Sequence, residues 1–302
     1  MSVGRAKQAD LALAANTLIW AFSFVAVKQA LGHASPLLFL LLRFSMAALV
    51  LGLVFHRRIH FQNVLSTGRG ALVAGTCLFA GYVLQTTGLQ STSASKSAFL
   101  TGLSVPLVPL LSCLVYGKRP RLLELGGALS ALAGMGLITL EGLVLRFSRG
   151  DLLTMAGAVA FAAHIVAVGH YSTHMNLESL SFIQIGVVAA LAGATFWWAE
   201  TPVLQPVASL WFAVLFTGLL ATALTFTVQV WAQRHTTAAR TALMYSLEPV
   251  AAALASYLLL GERLSPRAWL GAALIFSGIL LVELKRAISA GHLQGRVAVR
   301  EV

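Results

Sequence analysis

Three ionisable side chains, Glu248, Arg43 and His164, lie inside long apolar stretches of this 302-residue sequence. An ionised side chain near the middle of a membrane costs roughly 2.5–3.5 kcal/mol on insertion scales, so each is a candidate for a function. Glu248 could bind a ligand or couple its movement to an ion, or it could pair with a neighbouring helix. Arg43 could hold an anionic group with two parallel hydrogen bonds, or pair with Glu248 or with backbone carbonyls. His164 could relay a proton or be a hydrogen-bonded core histidine.

Uncharged polar residues in the same stretches are a second group of candidates. Gln85 and Gln229 each offer two donors and an acceptor without a fixed charge. They could contact a polar ligand, or they could join neighbouring helices by hydrogen bonds. Asn16 has the same two interpretations.

Aromatic residues could line a cavity beside these groups. Trp20 and Tyr82 lie too deep in their apolar stretches for an interfacial belt, and aromatic faces suit apolar or cationic ligands. Tyr245 precedes Glu248 by about one helical turn, so the two side chains should point in the same direction. Trp231 is a further candidate. Packing without ligand contact is the alternative for each of them.

Three prolines, Pro106, Pro109 and Pro249, interrupt two of the apolar stretches. A proline inside a helix removes one backbone hydrogen bond and leaves a carbonyl free. Membrane helices tolerate this when neighbouring groups satisfy the carbonyl. These positions could be hinges or static kinks.

The sequence offers nothing for catalysis or metal binding. It has no His-Glu-x-x-His run, no Gly-x-Ser-x-Gly elbow and no paired aspartates at metal-binding spacing. Its two cysteines, Cys77 and Cys113, have neither metal-ligand nor disulfide spacing. We therefore predict no enzyme activity, no metal and no cofactor. We also predict no nucleic-acid partner, because no soluble domain or aromatic-basic patch accompanies the net charge of +11.

Long apolar segments must position these side chains. Hydrophobic residues make up 58% of the chain and charged residues 10%, against about 25% charged in soluble domains. A membrane-spanning helix needs about 20 mostly apolar residues. The sequence predicts ten, numbered span 1 to span 10: Leu11–Leu31, Pro36–Phe55, Gly70–Leu89, Ser95–Tyr116, Leu122–Leu140, Asp151–Tyr171, Ser179–Trp198, Val207–Trp231, Ala238–Leu260 and Pro266–Leu284. The predicted fold class is an all-α membrane protein with ten transmembrane helices.

The positions of the 21 lysines and arginines predict the orientation. Basic residues accumulate on the cytoplasmic side of membrane proteins. With the N-terminus inside, fourteen of them fall on the cytoplasmic side and six on the outer side, while Arg43 lies within span 2. We expect a multi-pass protein of the bacterial inner (plasma) membrane with both termini cytoplasmic.

An internal repeat divides the chain. Residues 85–140 align on residues 229–284 without a gap at an offset of 144, and the first spans of the two halves align at an offset of 141. The alignment pairs Gln85 with Gln229, Lys96 with Arg240, Gly127 with Gly271, Gly134 with Gly278 and Asp10 with Asp151.

Each half contains five spans, an odd number, so the second half must enter the membrane from the opposite side. We predict an inverted repeat, with residues 1–145 as the first five-helix half and residues 146–302 as the second, which includes a short cytoplasmic tail. This architecture is typical of secondary transporters, whose substrate site lies near the bilayer midplane between the halves and whose access alternates between the two sides.

Four segments carry a family resemblance: Leu18-Ile19-Trp20-Ala21-Phe22-Ser23-Phe24-Val25-Ala26-Val27-Lys28, Leu42-Arg43-Phe44, the Gly88–Leu103 stretch, and Leu247-Glu248-Pro249 through Gly261-Glu262-Arg263 to Gly271. They resemble the EamA type of the drug/metabolite transporter superfamily, and the resemblance covers nearly the whole chain. The chain departs from the family pattern at Gly117-Lys118-Arg119-Pro120, where the second half keeps Gly-Glu-Arg.

The resemblance implies a central cavity lined mainly by helices 1–4 and 6–9, with helices 5 and 10 at the periphery. It also implies export of small metabolites, such as amino acids or related compounds, or of drugs by alternating access. A membrane-embedded enzyme and a passive channel are the alternatives. The expected partners are a small-molecule substrate and membrane lipid, with a homodimer left open.

Overall fold

The computed structural model describes residues 3–59, 68–117, 122–139, 147–251 and 265–281, which form helices joined by short connections. The helices are α1 (Val3–Ala30), α2 (Pro36–Phe55), α3 (Gly68–Leu89), α4 (Ala94–Thr101), α5 (Ser104–Tyr116), α6 (Leu122–Thr139), α7 (Arg149–Tyr171), α8 (Leu177–Ala199), α9 (Ala208–Gly218), α10 (Thr225–Gln233), α11 (Ala238–Tyr245) and α12 (Pro266–Leu281). A π-helical segment, Leu219–Leu224, joins α9 to α10.

Seven of the described helical segments are long and apolar enough to cross a membrane, and α6 and α12 are shorter apolar helices. The predicted all-α membrane fold is confirmed. α1 begins at Val3 rather than Leu11, because the intervening Ala, Lys and Gln residues are good helix formers. Span 9 is described only to residue 251. Its remainder and the predicted boundary at residues 145–146 lie outside the described residues.

Two spans break at matching positions ahead of a proline. Span 4 divides into α4 and α5 at residues 102–103, and span 9 is interrupted at residues 246–247. The two breaks coincide at the repeat offset of 144. At both, backbone N–H groups bond to the carbonyl three residues earlier. A proline ring clashes with the carbonyl four residues before it, so Pro106 and Pro249 prevent a regular α-helix from passing through these residues.

The halves contact each other through corresponding helices. α3 lies along α7, and α1 lies along α9 and α10, which is the same pair of spans with the halves exchanged. α2 packs on α8. α6 crosses α12 so closely that a Cβ on Gly134 or Gly271 would meet the other residue's backbone carbonyl. A two-fold axis between the halves requires that each contact between two helices also occurs between their repeat counterparts, and these contacts meet that requirement.

The first helices of the two halves begin at opposite membrane faces. We call the face at which α1 begins the proximal face, and the face at which it ends the distal face. α7 begins at the distal face, because Gly150 at its start contacts Gly88 at the distal end of α3. The repeat is therefore inverted.

Candidate substrate-binding cavity

A cavity lies between the two halves. About 840 Å³ of space between its lining residues holds no protein atoms, a volume that includes space open to solvent. Eight of the nine predicted binding residues line it: Trp20, Arg43, Tyr82, Gln85, His164, Gln229, Tyr245 and Glu248. Residues that were predicted from their positions within the apolar spans therefore line one common cavity.

Two candidates lie outside the cavity lining. Asn16 is buried, and its Nδ2 donates to Thr225 O at 2.9 Å, which joins α1 to α10. Trp231 packs the edge of its ring against His235, with 5.4 Å between the ring centroids. Both side chains contact neighbouring protein groups, and their role in binding stays a prediction.

Arg43 is held by protein groups on several sides. Its guanidinium donates from Nε to Thr222 Oγ1 at 2.7 Å, and from Nη2 to Ala221 O at 3.1 Å and Tyr82 Oη at 3.2 Å. The guanidinium carbon lies 4.7 Å from the centroid of the Tyr82 ring, where a cation is attracted to the aromatic face. Within the described residues it forms no ion pair with Glu248. Arg43 thus ties α2 to the π-helical segment and orients Tyr82.

The π-helical segment supplies an acceptor that the sequence did not predict. Ala221 O accepts from Arg43 Nη2 and also from Trp20 Nε1, at 3.1 Å in each case. Single π-helical turns inside α-helices occur frequently at functional sites. Here the segment places a carbonyl where side chains of α1 and α2 both reach it.

Glu248 differs from Arg43, since its Oε1 is buried with no hydrogen-bond partner among the described residues. Glu248 lines the cavity together with Tyr82 and Tyr245. A buried carboxylate is costly unless it is paired or hydrogen-bonded. The group therefore has the capacity to bind a cation or a hydrogen-bond donor that enters the cavity.

Aromatic rings form part of the wall of the cavity that Glu248 lines. The Trp20 ring lies edge-on to Tyr245, with 4.7 Å between centroids, and 5.8 Å from Phe226. Tyr82 packs edge-on against Phe161 at 5.2 Å. Phe161 and Phe226 were not predicted, because phenylalanine in an apolar run is equally compatible with a lipid-facing or a core position.

The remaining polar residues of the wall are hydrogen-bonded to neighbours. His164 Nε2 lies 2.9 Å from Gln184 Oε1 of α8. Gln85 Nε2 donates to Thr101 Oγ1 at 2.8 Å, which joins α3 to α4, whereas Gln229 Nε2 donates to Gln233 Oε1 at 3.0 Å within α10. The repeat-related glutamines therefore hold different partners.

The lining departs in two ways from the one that the family resemblance implied. Span 7, which is α8, contributes no described lining residue; α8 packs against α2 and α3, and its Gln184 contacts His164 of the cavity wall. Met135 of α6 does line the cavity. It can do so because Gly102, at the break between α4 and α5, has no side chain to occupy the position of the Met135 thioether.

The cavity extends further toward the distal face than toward the proximal face. Val27 and Leu89, near the distal ends of α1 and α3, line it, and so does Ala98 in the middle of the short helix α4. Their repeat counterparts near the proximal face, Val168, Gln233 and Ala242, are buried and do not. Counted over the described residues, the packed layer that closes the site is thus thicker on the proximal side.

An all-helical membrane protein with inverted halves around a central cavity has the architecture of a membrane transporter. The model of the EamA-like transporter family matches this chain twice, over residues 7–140 and residues 148–284. The chain therefore belongs to the EamA-like transporter family, within the drug/metabolite transporter superfamily. This confirms the family prediction and the prediction of a transporter rather than an enzyme.

Individual relatives agree with the family match. An uncharacterized transporter of Archaeoglobus fulgidus is 34% identical over 277 residues, covering 92% of this chain and 86% of the relative. A probable terminal-alkyne amino-acid exporter of Streptantibioticus cattleyicolor is 26% identical over 282 residues, covering 90% of this chain and 92% of the relative. A solved crystal structure shares the fold with a TM-score of 0.77 at 20% identity, covering 94% of this chain and 98% of the other.

Proposed function

We propose that this protein exports a small organic metabolite across the plasma membrane by alternating access, with the central cavity as its binding site. The observation that supports this most is the position of the cavity between the inverted halves. In secondary transporters with inverted repeats the substrate lies at such an interface, and one half rocks against the other to change access.

The chemistry of the cavity favours an amino acid or a related compound. Glu248 offers an unsatisfied carboxylate oxygen, and the surrounding rings of Trp20, Tyr82 and Phe226 suit an apolar or aromatic body. The related protein from Streptantibioticus cattleyicolor is named as a probable exporter of a terminal-alkyne amino acid. A substrate with an ammonium group and a compact apolar side chain would meet both parts of this wall.

Counterflow in proteoliposomes tests the proposal. Vesicles loaded with an unlabelled amino acid should transiently accumulate the same amino acid, added outside in labelled form. The initial rate of uptake should saturate with the external concentration of that amino acid, because a carrier binds its substrate at a limited number of sites. Empty vesicles without protein are the control. Flux that rises linearly with concentration and is not accelerated by solute on the far side would indicate a passive channel instead.

A further inference from the structure

Two ion pairs join the halves of the protein at opposite membrane faces. At the proximal face, Arg240 of α11 donates from Nε to Asp10 Oδ1 of α1 at 2.9 Å and from Nη2 to Asp10 Oδ2. At the distal face, Lys96 of α4 donates from Nζ to Asp151 Oδ2 of α7 at 2.6 Å. We call them the proximal pair and the distal pair. Each has one member in either half.

The two pairs are repeat copies of each other, and so are their surroundings. In each, the cation sits in the first turn of a short helix whose capping hydroxyl accepts from the cation's own backbone N–H. In each, a hydroxyl just before that helix also approaches the aspartate, at 2.6 Å in the distal pair and 3.5 Å in the proximal pair. The corresponding residues are Asp10 and Asp151, Arg240 and Lys96, Thr237 and Ser93, and Thr236 and Thr92.

Each pair fixes a short helix that lies between the cavity and one face. α4 carries Lys96 and then Ala98 and Thr101, which line the cavity. α11 carries Arg240 and ends at Tyr245, which also lines it. Both short helices stop at the matching breaks, residues 102–103 and 246–247. The ion pairs thus bind the two segments that can tilt at a break to the first helix of the opposite half.

We propose that the proximal and distal pairs are the two closures of the transport pathway. The cavity opens to the proximal face when Asp10 and Arg240 separate, and to the distal face when Lys96 and Asp151 separate. This inference rests on the proposed alternating access. Asp151 is fully buried and the Arg240 side chain is 8% exposed. Separating either pair leaves its charges unpaired, which is costly unless water reaches them, so separation and opening of that face accompany each other.

Among the described residues the distal closure is the thinner of the two, because the cavity already reaches Ala98, only two residues beyond Lys96. Asp151 also caps α7, since its Oδ2 accepts from Ser148 N at 2.7 Å. Changing Asp151 would therefore disturb the helix as well as the ion pair. Lys96 and Arg240 are the matched positions to alter.

Sided labelling of the full chain tests the proposal. The reporter is a cysteine at a cavity-lining position, Ser104→Cys, in a protein whose own cysteines are removed by Cys77→Ser and Cys113→Ser. A membrane-impermeant thiol reagent is added either to right-side-out or to everted membrane vesicles, and the rate of labelling is measured from each face. Lys96→Gln should raise the labelling rate from the distal face at least about fivefold, because conformational coupling energies usually correspond to a factor of about five or more. Arg240→Gln should raise the labelling rate from the proximal face by a similar factor. Lys96→Arg keeps the charge and should change little. Arg58→Gln removes the more exposed pair with Glu178 and should change neither rate.

An increase at the same face in both variants, or in neither, would overturn the proposal. If Lys96→Gln fails to fold, Thr92→Val weakens the distal pair and should raise labelling from the distal face. If Arg240→Gln fails to fold, Asp10→Asn weakens the proximal pair and should raise labelling from the proximal face. Unchanged labelling rates in these variants would contradict the assignment of the two closures. Counterflow in the unmodified protein separates the two claims. Saturable transport by the unmodified protein without sided labelling in the variants refutes only the closures, whereas sided labelling in the variants without any transport by the unmodified protein refutes the carrier.

Discussion

Arg43 and Glu248 flank the same cavity, but protein groups satisfy only one of them. Arg43 donates to a carbonyl and two hydroxyl groups, so its charge is stabilised before any ligand arrives. Glu248 keeps an oxygen without a partner among the described residues. At this scale the cavity combines a fixed cation that shapes the wall with a carboxylate that can bind.

Substitution of Glu248 tests the binding role directly. Glu248→Gln should weaken the apparent affinity for substrate in counterflow about tenfold or more, because a hydrogen bond to a charged group contributes about 1.5–3 kcal/mol and about 1.4 kcal/mol is a factor of ten. Glu178→Gln, an acid in the first turn of α8 and away from the cavity, is the matched control. Equal affinities in Glu248→Gln and the unmodified protein would exclude Glu248 from the site.

Substitution of Arg43 should act on stability before it acts on affinity. Arg43→Lys keeps the charge but cannot donate simultaneously to Thr222, Ala221 and Tyr82 with the geometry of a planar guanidinium. We expect the free energy of unfolding to fall by about 2 kcal/mol, measured as a lower melting temperature of the purified protein. The exposed Arg57 provides the comparison, since Arg57→Lys should leave the melting temperature unchanged.

The candidate residues could be found from the sequence, but their partners could not. Arg43, His164 and Glu248 were identified by their depth within apolar runs, because an ionisable side chain is costly to place in the membrane interior. Whether Arg43 would meet Glu248 or a carbonyl depends on how α2 is rotated against the π-helical segment, some 180 residues later in the chain. Hydropathy contains no information on that rotation.

Among the elements, the paired breaks and the close crossing of α6 and α12 depend on residues with unusual backbone properties. Hydropathy predicted most helix boundaries well, and α2 begins and ends at the predicted residues. The prolines indicated the two breaks without deciding between a hinge and a kink. The π-helical segment had no signal, because its residues Leu219–Leu224 are ordinary apolar and small residues whose hydrogen bonds shift by one position.

The crossing can be tested with one added methyl group. Gly134→Ala would place a Cβ against the backbone of α12, so we expect a loss of about 1–3 kcal/mol in the free energy of unfolding. Gly126→Ala is the matched control in the same helix, since no atom lies within 4 Å of the Cβ it would add. Thermal unfolding of both variants in detergent measures the difference. Equal melting temperatures would show that α6 and α12 accommodate the added methyl group without loss of stability.

At the scale of the whole molecule, the inverted repeat follows from an odd number of spans per half, and the structure adds that the symmetry extends to ion pairs. The alignment already matched Asp10 with Asp151 and Lys96 with Arg240. It could not show that each aspartate binds the cation of the other half, since a repeat alignment relates equivalent positions and does not report contacts.

The orientation of the whole molecule remains a prediction, and reporter fusions test it. We expect green fluorescent protein fused at the C-terminus to fluoresce and alkaline phosphatase at the same point to be inactive, because the excess of basic residues should hold both termini in the cytoplasm. Phosphatase inserted at residue 203, in the distal connection between α8 and α9, should be active. The opposite pattern would invert the assignment of the faces and make the distal side cytoplasmic.

The crossing of α6 and α12 also bears on how such a chain could arise. Ser130 donates to Leu274 O at 2.9 Å, and position 274 is the repeat counterpart of position 130. A residue that meets its own counterpart lies on the two-fold axis, as in the isologous interface of a homodimer. A single five-helix copy would therefore carry both sides of this contact, so two separate copies inserted in opposite directions could have assembled before they were joined. Joining two copies in one chain would free the two sides to diverge, and in this chain serine stands opposite leucine.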